Sequence, residues 1–196
     1  MENLYPIIRL WHVVSFAFMS VPLFNLIVVN ERALLGMPFD YNTDRFFENI
    51  IRHGATRCYV FQTSVFLSGI LLLTQGPLGI EALWTNHILL AKFVILLALM
   101  LLLSYVHFFL QPKIESHFAS LVPGNPVPEN FPVTIKPYRI LRKRLATVCL
   151  FLVLTAIILG MQVFVPFTLP INLILIILAG LFALRVNKTL ILFGWI

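Results

Sequence analysis

Acid is scarce in this chain: Asp and Glu number eight in 196 residues, and charged residues of either sign make up 11%. None of the eight lies within a long apolar run, which argues against a proton- or sodium-coupled transporter, whose coupling relies on carboxylates held inside the membrane. Cysteine is nearly absent. Cys58 and Cys149 are the only two, too few for a disulfide framework or a cysteine metal site, and both are expected to be free, reduced, small apolar fillers. Strict apolar–polar alternation is missing too, which excludes a barrel. No phosphate loop, zinc motif, catalytic triad or deaminase motif occurs. The start, Met1-Glu2-Asn3, lacks the basic region of a secretory signal, so the first apolar run is expected to stay in the mature protein.

What the chain has instead is oil. Hydrophobic residues make up 60% and mean hydropathy is +0.95, values that exclude a soluble domain and predict an all-α, polytopic helix bundle. One transmembrane domain of about five spans is expected, at 5–29, 55–74, 83–110, 141–165 and 170–186. Turn residues Gly76-Pro77-Leu78-Gly79 and Pro166-Phe167-Thr168-Leu169-Pro170 make antiparallel hairpins of spans two and three and of spans four and five.

The basic residues give an orientation. Arg32, Arg45, Arg52 and Arg57 lie after span one or just inside span two. Lys113, Lys136, Arg139, Arg142, Lys143 and Arg144 follow span three, and Arg185 and Lys188 close span five. Twelve of the fourteen Lys and Arg thus share one side, while the two short turns carry none. The positive-inside rule then puts the N-terminus out and the C-terminus in, across a membrane expected to be the bacterial inner (cytoplasmic) one. Net charge of +6 is explained by this distribution, and nucleic acid is not an expected partner.

Two longer connections lie on the basic side. In the first, Thr43 or Asn42 can cap an interfacial helix with Phe46, Phe47, Ile50 and Ile51 on one face and Glu48 paired with Arg52 at i,i+4; it runs into span two. The second, 111–137, is a proline-rich cytoplasmic loop with neither helical nor strand period, expected to be mobile or held by a partner. The basic run 139–144 reads first as an anchor to membrane lipid headgroups and second as a contact for cofactor carboxylates or a partner subunit. The apolar end, 189–196, suggests return to the interface or contact with another membrane subunit or a second copy of the chain.

The polar residues inside the oil are the candidates for chemistry. Lys92 sits in the apolar run 84–110. A charge at that depth costs about 2.5–3.5 kcal/mol or more, so it is expected to face a partner, cavity or cofactor rather than only snorkel outward. Of the five histidines, four lie in or beside spans, and His117 is expected to be solvated. Depth suggests His12 with His87 on the outer side and His53 with His107 on the inner side, the arrangement of imidazoles that can ligate a haem iron within a bundle. Rotation at ~100° per residue puts Lys92 and His107 on one face of span three and His87 nearly opposite His107. His53, Arg57, Phe61, Ser64 and Ser68 form a stripe on span two. There Ser64 and Ser68 permit close helix approach, and Arg57 can neutralise a propionate or a quinone headgroup. Asn25 and Pro22, and Gly160 with Gln162, read as packing and kink features.

These residues carry a resemblance. Leu10-Trp11-His12-Val13, Ser68-Gly69-Ile70-Leu71-Leu72, Trp84…His87…Lys92, Tyr105-Val106-His107, Arg144-Leu145 and Val165-Pro166-Phe167 resemble the membrane-haem superfamily of HemJ-type protoporphyrinogen oxidases and CopD-like domains. The likeness extends over roughly the first four spans. It implies that His12 is a haem ligand and Lys92 a functional, catalytic residue of the same site. Two departures, a longer tryptophan-to-lysine spacing and the intervening Val106, bear on the oxidase reading more than on the haem reading.

The expectation is therefore a b-type haem protein of the membrane, cytochrome b-like, moving electrons between a quinone or porphyrin and a partner; if an enzyme, it is an oxidoreductase. His12, His53, His87 and His107 are the candidate haem and iron ligands, Arg57 a further cofactor contact. The alternatives are a non-catalytic accessory subunit of a larger membrane complex and, last, a copper-transport domain. The five methionines form no MxxM-like relay for the latter.

Overall fold

The computed structural model describes residues 4–32, 34–35, 38–122, 126–163 and 165–190. Among them every regular element is helical: α1 (Leu4–Glu31), α2 (Tyr41–Gln75), the single turn α3 (Ala82–Thr85), α4 (His87–Ala119), α5 (Phe131–Gln162) and α6 (Leu169–Lys188). All but α3 are long and apolar enough to cross a membrane. The protein is an all-α integral-membrane bundle.

Side-chain caps set the helix starts. Asp40, neither Asn42 nor Thr43, caps α2 by accepting from the Thr43 N–H at 2.8 Å. The Thr43 bonds hold its carboxyl below the ordinary value. From there α2 runs unbroken for 35 residues, so the expected interfacial helix and span two are one rod. Asn86 interrupts the expected third span, its side chain accepting from Ile88 and Leu89 N–H at 3.0 and 3.3 Å.

The proline-rich stretch is largely helical at both ends, contrary to expectation. α4 continues to Ala119 through a π-helical segment, Val106–Leu110, in which Gln111 N–H bonds to the Val106 carbonyl. Pro112 follows at once. It has no N–H and its ring crowds the carbonyl four residues back, and the widened turn accommodates both. α5 begins at Phe131 with Pro132 in its first turn, where a missing N–H costs nothing.

At ~1.5 Å per residue α2, α4 and α5 are each about 50 Å long, against ~30 Å of hydrocarbon. The surplus lies at one end, where the connections carry the basic residues; we call it the basic end and the opposite one the turn end. α5 is the axis, packed on α1, α4 and α6, while α2 packs on α1 and α4. Met19, Leu23 and Ile27 of α1, Leu99 of α4, Ala146, Leu150 and Val153 of α5 and Val186 of α6 form the main core. Within oil such a seam is held by close packing rather than by release of water. A second cluster at the basic end, Ile114, Phe118, Phe131 and Ile135, tightly joins α4 to α5 beyond the span, with Phe39 against Phe118 and Phe131. His117, expected to be solvated, instead rests half-buried with its ring 5.5 Å from that of Tyr138.

Candidate functional site

Three polar centres lie along the bundle. The largest is at the basic end and was not foreseen. Arg142 is wholly buried, and its guanidinium forks onto Glu48, Nη1 to Oε2 at 2.7 Å and Nη2 to Oε1 at 2.9 Å. It also donates to Asn30 Oδ1 at 2.8 Å and Gln111 Oε1 at 2.6 Å. Arg139 donates to Glu48 at 3.0 Å and to Asp44 at 2.7 Å. Arg32, just past α1, holds both oxygens of Asp44 at 2.9 Å, and that hydrogen bond raises the guanidinium above its ordinary value despite burial. Lys143 lies 3.4 Å from Glu31, and Arg45 pairs with Glu115.

This cluster corrects two expectations. Glu48 pairs with Arg139 and Arg142 of α5, not with Arg52. Of the basic run, Arg139, Arg142 and Lys143 are buried against the chain's own acids, and only Arg144 of the charged residues is exposed. The signal was the spacing: 139, 142 and 143 fall on one helical face, as do Asp44 and Glu48 at i,i+4. Asp44, Glu48, Glu31 and Glu115 are each matched by a cation, so the cluster is a clamp across α1, α2, α4 and α5, with no carboxylate left over for catalysis. The π segment serves it by turning Gln111 inward, where it bonds Arg142 and Glu115.

The second centre lies toward the turn end, within the spans. His12 Nδ1 is 2.9 Å from Ser68 Oγ. The Ser68 proton is committed to the Ser64 carbonyl at 2.6 Å, so its oxygen accepts and His12 carries its proton on Nδ1. Nε2 keeps its lone pair. A methyl group at Gly69 would meet His12 Cε1 at 3.5 Å, so the Cε1–Nδ1 edge of the ring lies beside Gly69 of α2. Lys92 is within electrostatic reach of His12, and its Nζ lies 3.5 Å from where a Cβ on Gly160 would stand. The lysine therefore lies along α5, and among the described residues it makes no ion pair.

The third centre is a cavity of about 520 Å³ between α1 and α2, lined by Asn25, Asn49, His53 and Arg57 together with Phe18, Pro22 and Phe61, among others. Phe18 and Phe61 stack at 5.6 Å. The stripe on α2 thus faces α1 along its length: His53 and Arg57 at the cavity, Phe61 on Phe18, Ser68 on His12. Asn25 and Pro22, read as packing features, line the cavity.

The histidine pairs do not form. His53 is exposed and donates from Nδ1 to the Asn49 carbonyl at 2.8 Å. His107 lies on another side of α2, edge-on to Tyr59 at 5.8 Å, with Nδ1 buried and unpartnered; Tyr59 in turn bonds Ser104 at 2.9 Å. His53 and Tyr59 are six residues apart, which at ~100° each places them on well-separated faces of the helix. His87 is exposed at the first position of α4, and no hydrogen bond or ring contact joins it to His12. His53 and His107 thus face different sides of α2. Cys58 and Cys149 are free thiols, Gln62 Oε1 and Gln162 Nε2 are buried without partners, and residues 191–196 of the apolar end lie outside the described residues.

Fold and centres together define a class, the five-span integral-membrane bundle with polar groups held inside its spans. Compared with protein-family models, curated proteins and solved structures, the chain matches none.

Proposed function

We propose that the protein binds haem b in the membrane through His12 and passes electrons to or from a quinone or porphyrin and a partner subunit or second copy. The observation that carries this is the contact of His12 Nδ1 with Ser68 Oγ at 2.9 Å, Ser68 being bonded in turn to the Ser64 carbonyl. A histidine that ligates a metal presents one nitrogen lone pair and donates its other N–H to a fixed acceptor. Ser68, with its own proton spent on Ser64, is such an acceptor, which leaves Nε2 available. Lys92, beside Gly160 and within electrostatic reach, supplies a positive charge to an anionic group such as a propionate or a reduced ligand oxygen. His12 is the single protein ligand in this reading, since His53, His87 and His107 are elsewhere. The haem supplies a one-electron couple; the chain supplies the ligand nitrogen, its orientation and the nearby charge. The basic end faces the cytoplasm, and the membrane is the bacterial inner one.

The test is a visible spectrum of detergent-purified protein, oxidised and dithionite-reduced. A Soret band and a reduced α-band are expected; His12→Ala abolishes them, and His53→Ala, His87→Ala and His107→Ala retain them. Nitrogen-15 resonances of His12 report the Nδ1–H tautomer in the wild type and a mixture in Ser68→Ala. Folded protein that stays colourless when expressed with ample haem refutes the proposal.

A further inference from the structure

The cavity between α1 and α2 has no part in the His12 centre. Gly54, beside the cavity, faces Pro22, whereas His12 meets Gly69, fifteen residues farther along α2, or about 22 Å at 1.5 Å per residue. We propose that this cavity is a binding site for an anionic amphiphile, a molecule with an oxyanion head and an apolar body.

Arg57 carries the argument. It lies at the start of the apolar part of α2, lines the cavity, and among the described residues pairs with no carboxylate. At the basic end the clamp arginines, Arg139 and Arg142, each hold an acid. A guanidinium left unpaired at the edge of oil gains most from an oxyanion, which it can hold through two parallel N–H bonds. The neighbouring polar groups suit the same head. Asn25 and Asn49 each offer an amide N–H₂. His53, with Nδ1 donating to the Asn49 carbonyl, adds a second donor at Nε2 in its protonated form. No acid lines the cavity to repel an anion. Above the head group the walls become apolar: Phe18 stacked on Phe61, with Val21 beside them. A volume of about 520 Å³ holds a head group and the first part of a chain, in the size range of small-molecule sites.

Phospholipid phosphate and fatty-acid carboxylate share this chemistry, and the experiment separates them. Full-length protein is placed in neutral phosphatidylcholine, and phosphatidylglycerol or oleate is titrated in, with bound ligand read by native mass spectrometry. One saturable equivalent of one or both is expected. Arg57→Gln should weaken it at least ~10-fold, the loss expected of a charged hydrogen-bonded contact. Arg52→Gln, an exposed arginine on the same helix outside the cavity, should leave it unchanged. His12→Ala should also bind as the wild type does, so failure of the haem reading and failure of this one are distinguishable. Saturation by phosphatidylglycerol alone identifies a lipid phosphate; saturation by oleate alone identifies a carboxylate. No saturable binding of either, or equal weakening by Arg57→Gln and Arg52→Gln, overturns the proposal. Asn25→Leu is a second variant that keeps every charge and should also weaken binding.

Discussion

Removing the Glu48 carboxylate tests whether the basic end is a clamp. Glu48 accepts two bonds from Arg142 and one from Arg139, and neither arginine can reach water, since Arg142 is 0% and Arg139 6% exposed. In Glu48→Gln the amide keeps one acceptor oxygen and no charge, so Arg142 is left buried with no anion and Arg139 shares Asp44 with Arg32. Breaking a buried pair from one side costs about 3–5 kcal/mol. For a chain of this size each kcal/mol moves the thermal midpoint by roughly 2–4 °C, so the midpoint in detergent should fall by ~6–20 °C.

The cycle is completed by Arg142→Met and by the double variant Glu48→Gln/Arg142→Met. Removing both partners takes away the stranded charge, so the double variant should be more stable than either single variant, by a coupling of about 1–3 kcal/mol. Arg144→Gln, an exposed neighbour in the same basic run, should cost under ~0.5 kcal/mol. If Glu48→Gln is no more harmful than Arg144→Gln, the clamp has no energetic weight and the run returns to being a lipid anchor.

Asp40 gives a pH-dependent counterpart. Its carboxyl is held below the ordinary range by Thr43, so its stabilising effect is whole above that range and disappears as pH falls through the lowered value. Asp40→Ala should therefore lower the thermal midpoint at neutral pH and make no difference in acid below that point; an equal loss at both pH values contradicts the cap. Orientation is tested by labelling intact cells with a membrane-impermeant maleimide, Cys58 and Cys149 having first been replaced by Ala. Glu81→Cys at the turn end should label directly, and Lys113→Cys at the basic end only after permeabilisation; the reverse pattern inverts the topology.

The five spans were legible because long runs of Leu, Ile, Val and Phe have few other fates, and the α2 stripe was legible because spacings of three and four recur without interruption from His53 to Ser68. The basic run misled for a physical reason. Arginines at the edge of a span look alike in sequence whether they turn to headgroups or inward, and only the positions of Asp44 and Glu48 one turn apart could have tipped the choice. Prolines hid helix in 111–137, since Pro112 follows a π turn and Pro132 sits in a first turn, two places that tolerate them. The histidine pairs failed because depth is read along a helix and contact also depends on rotation, which places Tyr59 toward His107 and His53 toward the cavity.

The contrast between the two halves of the bundle is what separates scaffold from site. At the basic end every carboxylate of the clamp meets a cation of the same chain, and the charges cancel within the protein. Inside the spans the balance is different: Lys92 lies against Gly160 with no ion pair among the described residues, His12 keeps a free Nε2, and Arg57 faces a cavity without an acid. Of these only Lys92 lies deep within a span, where a charge costs a few kcal/mol of insertion energy that no ion pair among the described residues repays. His12 passes beside Gly69 and Lys92 beside Gly160, each at a distance where an added methyl would make ordinary van der Waals contact. Packing alone would be served as well by leucine at positions 12, 57 and 92. Matched charges thus hold one end together within the chain, while Lys92 and Arg57 further along keep the capacity to pair with an anionic group supplied from outside.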